Sequence, residues 1–254
     1  MRSSSTRTTL FGIFVLARRK LTAAQVITLA RPLGISATNV KSHLTRMVAE
    51  GAFERTGPKR AARYGPSPSQ AAVVEGIEAR LESDAEEPWD GEWIFLALKM
   101  PASRRERDRL RASLWFDGFR PWDGSTFVRP AWPKAWAHAR VRWYLARVLG
   151  LAVHGPLLGD VSVSRLYDLD TLDREARKLA RRIRGKRAPA ISPARAFAAR
   201  LEIGGLVARL VGHDPRLPNS LWGKRRGMRD LSRAFTGFEK WIAKDAQRFL
   251  NRVP

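Results

Sequence analysis

Hydrophobic positions recur through the first eighty residues at the spacing of short helices. Leu10, Phe11 and Phe14 make an apolar stripe within Thr6 to Arg18, behind hydroxyl residues able to cap a helix. Thr22 can cap a second helix carrying Val26, Ile27 and Leu29, which ends near Pro32 and Gly34. The tight turn Leu33-Gly34-Ile35-Ser36 follows, and Ser36 caps a third helix, Ala37 to Glu50, that contains neither Gly nor Pro. On it Val40, Leu44, Met47 and Val48 fall on the core side, while Thr38, Asn39, Lys41, Ser42, Thr45 and Arg46 face outward. Gly51 stands where a helix C-cap is expected. Phe53 to Arg55 and Ala61 to Tyr64 then predict two short strands around a basic tip, Thr56-Gly57-Pro58-Lys59-Arg60. Ser67 and Pro68 start a further helix to about Leu81, and the acidic stretch Glu82 to Glu87 reads as a linker.

Beyond the linker the pattern changes. Trp93 to Leu98 is a continuous apolar run of strand length, and Ser103 caps a helix from Arg104 to Trp115 with Leu110 and Leu114 inside. Phe119 to Pro121 and Thr126 to Arg129 are two more strands around Trp122-Asp123-Gly124-Ser125. Pro133 to Leu149 reads as helix and Gly155 to Val163 as a returning strand. The order β-α-β-β-α-β is ferredoxin-like. The remainder is helical: Thr171 to Arg184, Ser192 to Val211 and, after a Pro-rich break at Asp214 to Pro218, one or two helices from Arg229 to Leu250. An α+β protein in three parts is predicted: residues 1–82 a winged helix-turn-helix, 88–165 a ferredoxin-like domain, to which the family resemblance given below assigns dimerisation, and 166–254 a helical C-terminal domain.

Charge narrows the function. The 254 residues carry 47 Lys+Arg against 24 Asp+Glu, a formal net charge of +23, and most of the cations are Arg. Arginine stays charged and grips phosphate bidentately, so this balance points to a polyanionic partner, nucleic acid first. Cysteine is absent, which excludes disulfides, iron–sulfur clusters and thiol catalysis. The opening Met1-Arg2-Ser3-Ser4-Ser5 lacks the apolar core of a signal peptide, and no apolar run approaches membrane-spanning length. A cytoplasmic protein with no membrane partner is expected.

A helix-turn-helix followed by a basic hairpin lays one helix in a DNA major groove and a loop beside it. On the third helix, Asn39 is suited to adenine and Arg46 to guanine, each through bidentate hydrogen bonds. Lys41, Ser42 and Thr45 suit phosphate or base contacts, and Thr38, near the helix N-terminus, suits a phosphate. Lys59, Arg60 and Arg63 would add phosphate or minor-groove contacts from the wing, supplying affinity and salt dependence rather than sequence choice. His43 reads as half-buried packing. His138, His154 and His213 are scattered, so no metal site is expected, and no cofactor. Seven of the nine Trp lie between Trp89 and Trp143. Such a cluster reads first as core and dimer interface, with stacking on a base or an aromatic acyl group as its other use. The basic helix Arg174 to Arg187 has three readings: contact with DNA flanks, contact with effector phosphates, or a solvated face.

Several stretches together resemble the PaaX family, named for the repressor of phenylacetic acid degradation. Leu33-Gly34-Ile35-Ser36 with Val40-Lys41-Ser42-His43-Leu44-Thr45-Arg46-Met47 resembles that family's helix-turn-helix. Trp89-Asp90-Gly91-Glu92-Trp93 with Phe95 resembles the start of its central domain. Leu166-Tyr167-Asp168-Leu169 and Asp214-Pro215-Arg216-Leu217-Pro218 resemble two C-terminal signatures, with Tyr167 standing where Trp is usual. The resemblance implies a homodimeric transcriptional repressor on double-stranded DNA, built from a winged helix, a Cas2-like ferredoxin-fold domain and a helical domain. It implies release by a small acyl-coenzyme A thioester, an aryl-acyl-CoA such as phenylacetyl-CoA. For that effector the loop bearing Trp222, Lys224, Arg225 and Arg226 is the preferred candidate. Cas2-type domains can be metal-dependent nucleases, which need a carboxylate at the end of the first strand. Here that end reads Leu96-Ala97-Leu98-Lys99-Met100, with no acid, and no nucleophile elbow or phosphate-binding glycine loop is present. Catalytic residues are therefore not expected. A repressor on a palindromic operator is the leading reading; a sequence-independent nucleic-acid binder and a Cas2-like nuclease are the alternatives.

Overall fold

Ser5 accepts a hydrogen bond from the backbone of Thr8 and so caps helix α1, Thr6–Ala17. This computed structural model describes residues 5–58, 61–82, 88–157, 162–185 and 191–253. A short strand β1 (Leu21–Thr22) leads into α2 (Ala23–Ala30), where Thr22 and Gln25 form a reciprocal capping box. A 3-10 turn, Arg31–Leu33, and Gly34 at φ 73° separate α2 from α3, Ala37–Ala49. Strands β2 (Phe53–Thr56) and β3 (Arg63–Pro66) pair antiparallel, with Phe53 opposite Pro66 and Thr56 opposite Arg63. Strand β1 joins on the far side of β3, so the sheet order is β1-β3-β2. Three helices and a three-stranded sheet of this connectivity make a winged helix. Its core is Leu10, Ile13, Phe14, Leu21, Val26, Leu29, Val40, Leu44, Met47 and Phe53, with Phe14 edge-on to Phe53 at 4.7 Å. Helix α4, Pro68–Glu82, follows.

The central part runs β4 (Glu92–Leu98), α5 (Arg104–Phe116), β5 (Arg120–Asp123), β6 (Thr126–Pro130), α6 (Lys134–Leu145) and β7 (Gly150–Pro156). Its sheet is antiparallel in the order β5-β6-β4-β7, the ferredoxin-like arrangement. Ile94, Leu96 and Leu98 alternate onto the side covered by α5 and α6, meeting Leu114, Phe119, Ala137, Val141 and Tyr144. The last strand occupies 150–156 where 155–163 was expected, residues 158–161 lie outside the described residues, and the backbones approach closely at Gly150. A Cβ there would stand 2.3 Å from the Ala97 carbonyl oxygen. Gly150 is the first residue of that strand, opposite Leu98.

The helices that follow are α7 (Val163–Tyr167), α8 (Leu169–Arg184), α9 (Pro193–His213), α10 (Asn219–Trp222) and α11 (Gly227–Leu250), the last unbroken. Packing divides the chain in two, where the sequence pattern divides it in three. One compact unit comprises Met1–Ser83, Lys178–Val211 and Arg229–Pro254; the other comprises Asp84–Arg177 and Gly212–Met228. Each unit thus takes part of the C-terminal helical stretch. In the first, Gly12 packs so close to Leu201 that a Cβ would lie 2.9 Å from its Cδ2, and Arg19 donates to the Val253 carbonyl at 2.8 Å. In the second, the Gly227 amide donates to Asp173 at 2.6 Å.

Candidate nucleic-acid interface

Helix α3 is held at both ends. Ser36 Oγ accepts from the Asn39 amide at 3.2 Å. At the other end the Gly51 amide donates to Val48 and the Ala52 amide to Met47, which is a Schellman motif with Gly51 at φ 72°. Val40, Leu44 and Met47 are buried, and Thr38, Asn39, Lys41, Ser42, Thr45 and Arg46 are all exposed. The six residues picked for DNA contact therefore share the solvent side of one rigid helix. Thr45 Oγ1 donates back to the Lys41 carbonyl at 3.0 Å, so its oxygen is left to accept unless the hydroxyl rotates. His43 is half-buried, as its place beside Leu44 suggested.

In the hairpin, Gly57 at φ 84° turns the chain and the Ala61 amide donates to Pro58 at 2.9 Å. Arg63 is exposed, with one guanidinium nitrogen 3.4 Å from the Lys20 carbonyl. Lys59 and Arg60 lie outside the described residues. Two nearby acids are paired, Glu50 with Arg7 and Glu54 with Lys20 at 2.5 Å. Two exposed cations went unassigned in the sequence, Arg31 at the turn and Arg55 on β2. For Arg55 the signal was the strand register, which puts it opposite Tyr64.

The effector candidates are not gathered into a single free cluster. Trp222 is buried in α10. Arg225 donates to Asp170 at 2.9 Å and to Ser164 Oγ at 2.7 Å, and that pairing holds the Asp170 carboxyl below its ordinary range. Lys224 and Arg226 are exposed, with Arg226 donating to the Gly223 and Arg225 carbonyls.

A set of buried charges that the sequence did not reveal lies around β5 and β6. Asp117, 4% exposed, accepts from Arg140 Nε and from the Tyr144 hydroxyl, both at 2.7 Å. Burial, then the Asp117 charge, pushes the Tyr144 hydroxyl above its ordinary value, so it remains a donor. Arg129, fully buried, donates to the carbonyls of Asp117, Pro130 and Trp132 and lies over Trp136. Arg120 stacks on Trp115 at 3.5 Å, and burial pushes its guanidinium down to about 10, still charged at neutral pH. Two motifs of the family resemblance end here: the Tyr167 hydroxyl donates to the Val128 carbonyl, and Arg216 lies over Trp136. Gly118 explains the closeness, since a Cβ there would stand 2.3 Å from the Pro215 carbonyl oxygen.

The histidines scattered in sequence are partly united in space, contrary to expectation. His138 on α6 and His154 on β7 meet edge to face, with ring centroids 4.9 Å apart. His154 Nδ1 lies 2.8 Å from Glu92 Oε1. Lys134 pairs with Glu92 at 3.2 Å and Asp90 at 3.0 Å; its hydrogen bond holds both carboxyls below their ordinary range.

Residues 86–145 match the family model described as the PaaX protein central Cas2-like domain. No match to a curated protein was found. Among solved structures, the chain is similar to an uncharacterized protein from Mycobacterium tuberculosis, Rv0674. The TM-score is 0.56 at 22% identity, over 96% of this chain and 98% of that one. No helix among the described residues is long and apolar enough to cross a membrane.

Proposed function

We infer from a chain that is PaaX-like through its central domain that it is a DNA-binding transcriptional repressor, a homodimer on a palindromic operator. One observation carries the reading. The exposed side of α3 presents Asn39, Arg46 and four smaller or basic polar residues on a helix whose other side is locked in a core. Asn and Arg at these places read bases, while Lys41, Thr38 and the wing cation Arg63 hold phosphates.

Dimerisation is supported by the central sheet. Leu151 and Val153, 57% and 54% exposed, alternate onto the side of β7 away from α5 and α6, near the half-buried Phe95 and the exposed Trp122. Strand β7 is also an edge strand, so an apolar strip and an unpaired backbone edge lie together. Release would come from a small aryl-acyl-CoA that binds the DNA-incompetent arrangement better than the competent one. Lys224 and Arg226 are the cations left to meet its phosphates. A regulator of this kind has no catalytic step.

The test is binding of the full chain to a short mixed-sequence duplex, followed by fluorescence anisotropy as salt is raised. Log affinity should fall linearly with log salt, and Lys41→Ala should lower the slope by about one. Absence of binding at low salt contradicts the reading. A sequence-independent binder is favoured by one further observation, the exposed Arg104, Arg105, Arg109 and Arg111 along α5. It predicts a steep salt slope with the same affinity for every duplex.

A further inference from the structure

We propose that Glu92, His138 and His154 bind one divalent transition-metal ion, of which Zn2+ and Co2+ are the reference cases. One potential ligand atom from each of the three side chains lies within 4.8 Å of the others. They come from three different elements of one sheet-and-helix layer: the start of β4, the middle of α6 and the edge strand β7. The register puts His154 opposite Ile94, on the same side of the sheet as Glu92 and as the helix that carries His138. The three groups therefore converge because the fold aims them together.

His138 supplies the second argument. Its Nε2 is buried and has no hydrogen-bond partner. A buried nitrogen left without a partner costs stability, and a metal ion is one group that satisfies it. Glu92 and the second ring already adjoin, since His154 Nδ1 is 2.8 Å from Glu92 Oε1.

Two imidazoles and one carboxylate, with no thiolate, suit Zn2+, Co2+, Ni2+ or Fe2+ rather than Mg2+ or Ca2+. Ligand atoms around a tetrahedral ion with bonds of about 2.1 Å lie about 3.4 Å apart, so atoms that now lie within 4.8 Å of one another reach that spacing by side-chain shifts of about an ångström. His154, 34% exposed along its side chain, has room to make that rotation and gives the ion an entry path. Lys134, which now shares Glu92, keeps Asp90 as its partner at 3.0 Å when the carboxylate turns to the ion. The site lies at the opposite end of β4 from Leu98, so it does not restore the strand-end carboxylate of a nuclease. The proposal stands apart from the DNA-binding reading, and neither fails with the other.

The test uses the full chain without an affinity tag, stripped with a chelator and titrated with Co2+ alone. The expected result is one-to-one binding with visible d–d absorption, displaced by Zn2+. His138→Ala and His154→Ala should each weaken binding about tenfold or more, whereas His43→Ala should not. To guard against a variant that fails to fold, the imidazole NMR signals of the unaltered chain are followed with Zn2+. Of its four histidines, only His138 and His154 should shift. No saturable Co2+ absorption, binding unchanged in His138→Ala, or Zn2+ shifts at His43 or His213 in place of these two overturns the proposal.

Discussion

Asp117 is 4% exposed and is bound to Arg140, Tyr144 and, through Tyr144, Ser113. Removing one partner of such a buried pair strands the others, at a cost of about 3–5 kcal/mol. Asp117→Ala should therefore lower the unfolding free energy by about that much in a urea titration; a loss near zero would mean that solvent, not Asp117, satisfies Arg140 and Tyr144. This network was illegible in the sequence. Its members are 23 and 27 positions apart and look like any other charges in an arginine-rich chain. The polar side of α3 was legible residue by residue, because the spacing of Val40, Leu44 and Met47 fixes which positions point outward. His138 and His154 fell between these cases: their types were visible, but their meeting depends on strand register.

Elements were read best where end signals and periodicity agreed. Ser36 and Gly51 bound α3 in the structure as their chemistry demands, and Thr22 closes a full capping box on α2. They were read worst where glycine served close packing instead of turning. Gly150 opens β7 beneath the Ala97 carbonyl, and that strand lies earlier than its hydrophobic pattern suggested. Gly118, at φ 80° and against the Pro215 carbonyl, joins the end of α5 to the segment Asp214 to Pro218. Gly118→Ala must therefore move backbone as well as adopt a left-handed conformation. The second alone costs about 1–2 kcal/mol. Thermal unfolding should show a larger loss than that, whereas Gly34→Ala, where open space surrounds the added Cβ, should lose only the conformational part. Equal losses at the two positions would mean that the Pro215 contact does not constrain the fold.

At the scale of the molecule, the proposed function has the net charge of +23 supply affinity for DNA and a few residues on α3 supply its choice of sequence. The packing of the C-terminal helices into two units could not be read from a pattern that treats each amphipathic helix alone, since periodicity shows that a face is buried but not against what. The exposed strip on β7 belongs to this scale as well. Leu151→Asp with Val153→Asp should convert a dimer to a monomer by light scattering and weaken operator binding while leaving the secondary structure intact; a dimer that survives both changes would place the interface elsewhere. The central claim is tested most directly by selecting binding sites for the full chain from a random DNA library at near-physiological salt. The account predicts an inverted repeat, lost in the Asn39→Ala/Arg46→Ala variant while low-salt binding persists. A featureless pool, or an inverted repeat recovered unchanged with that variant, would contradict it.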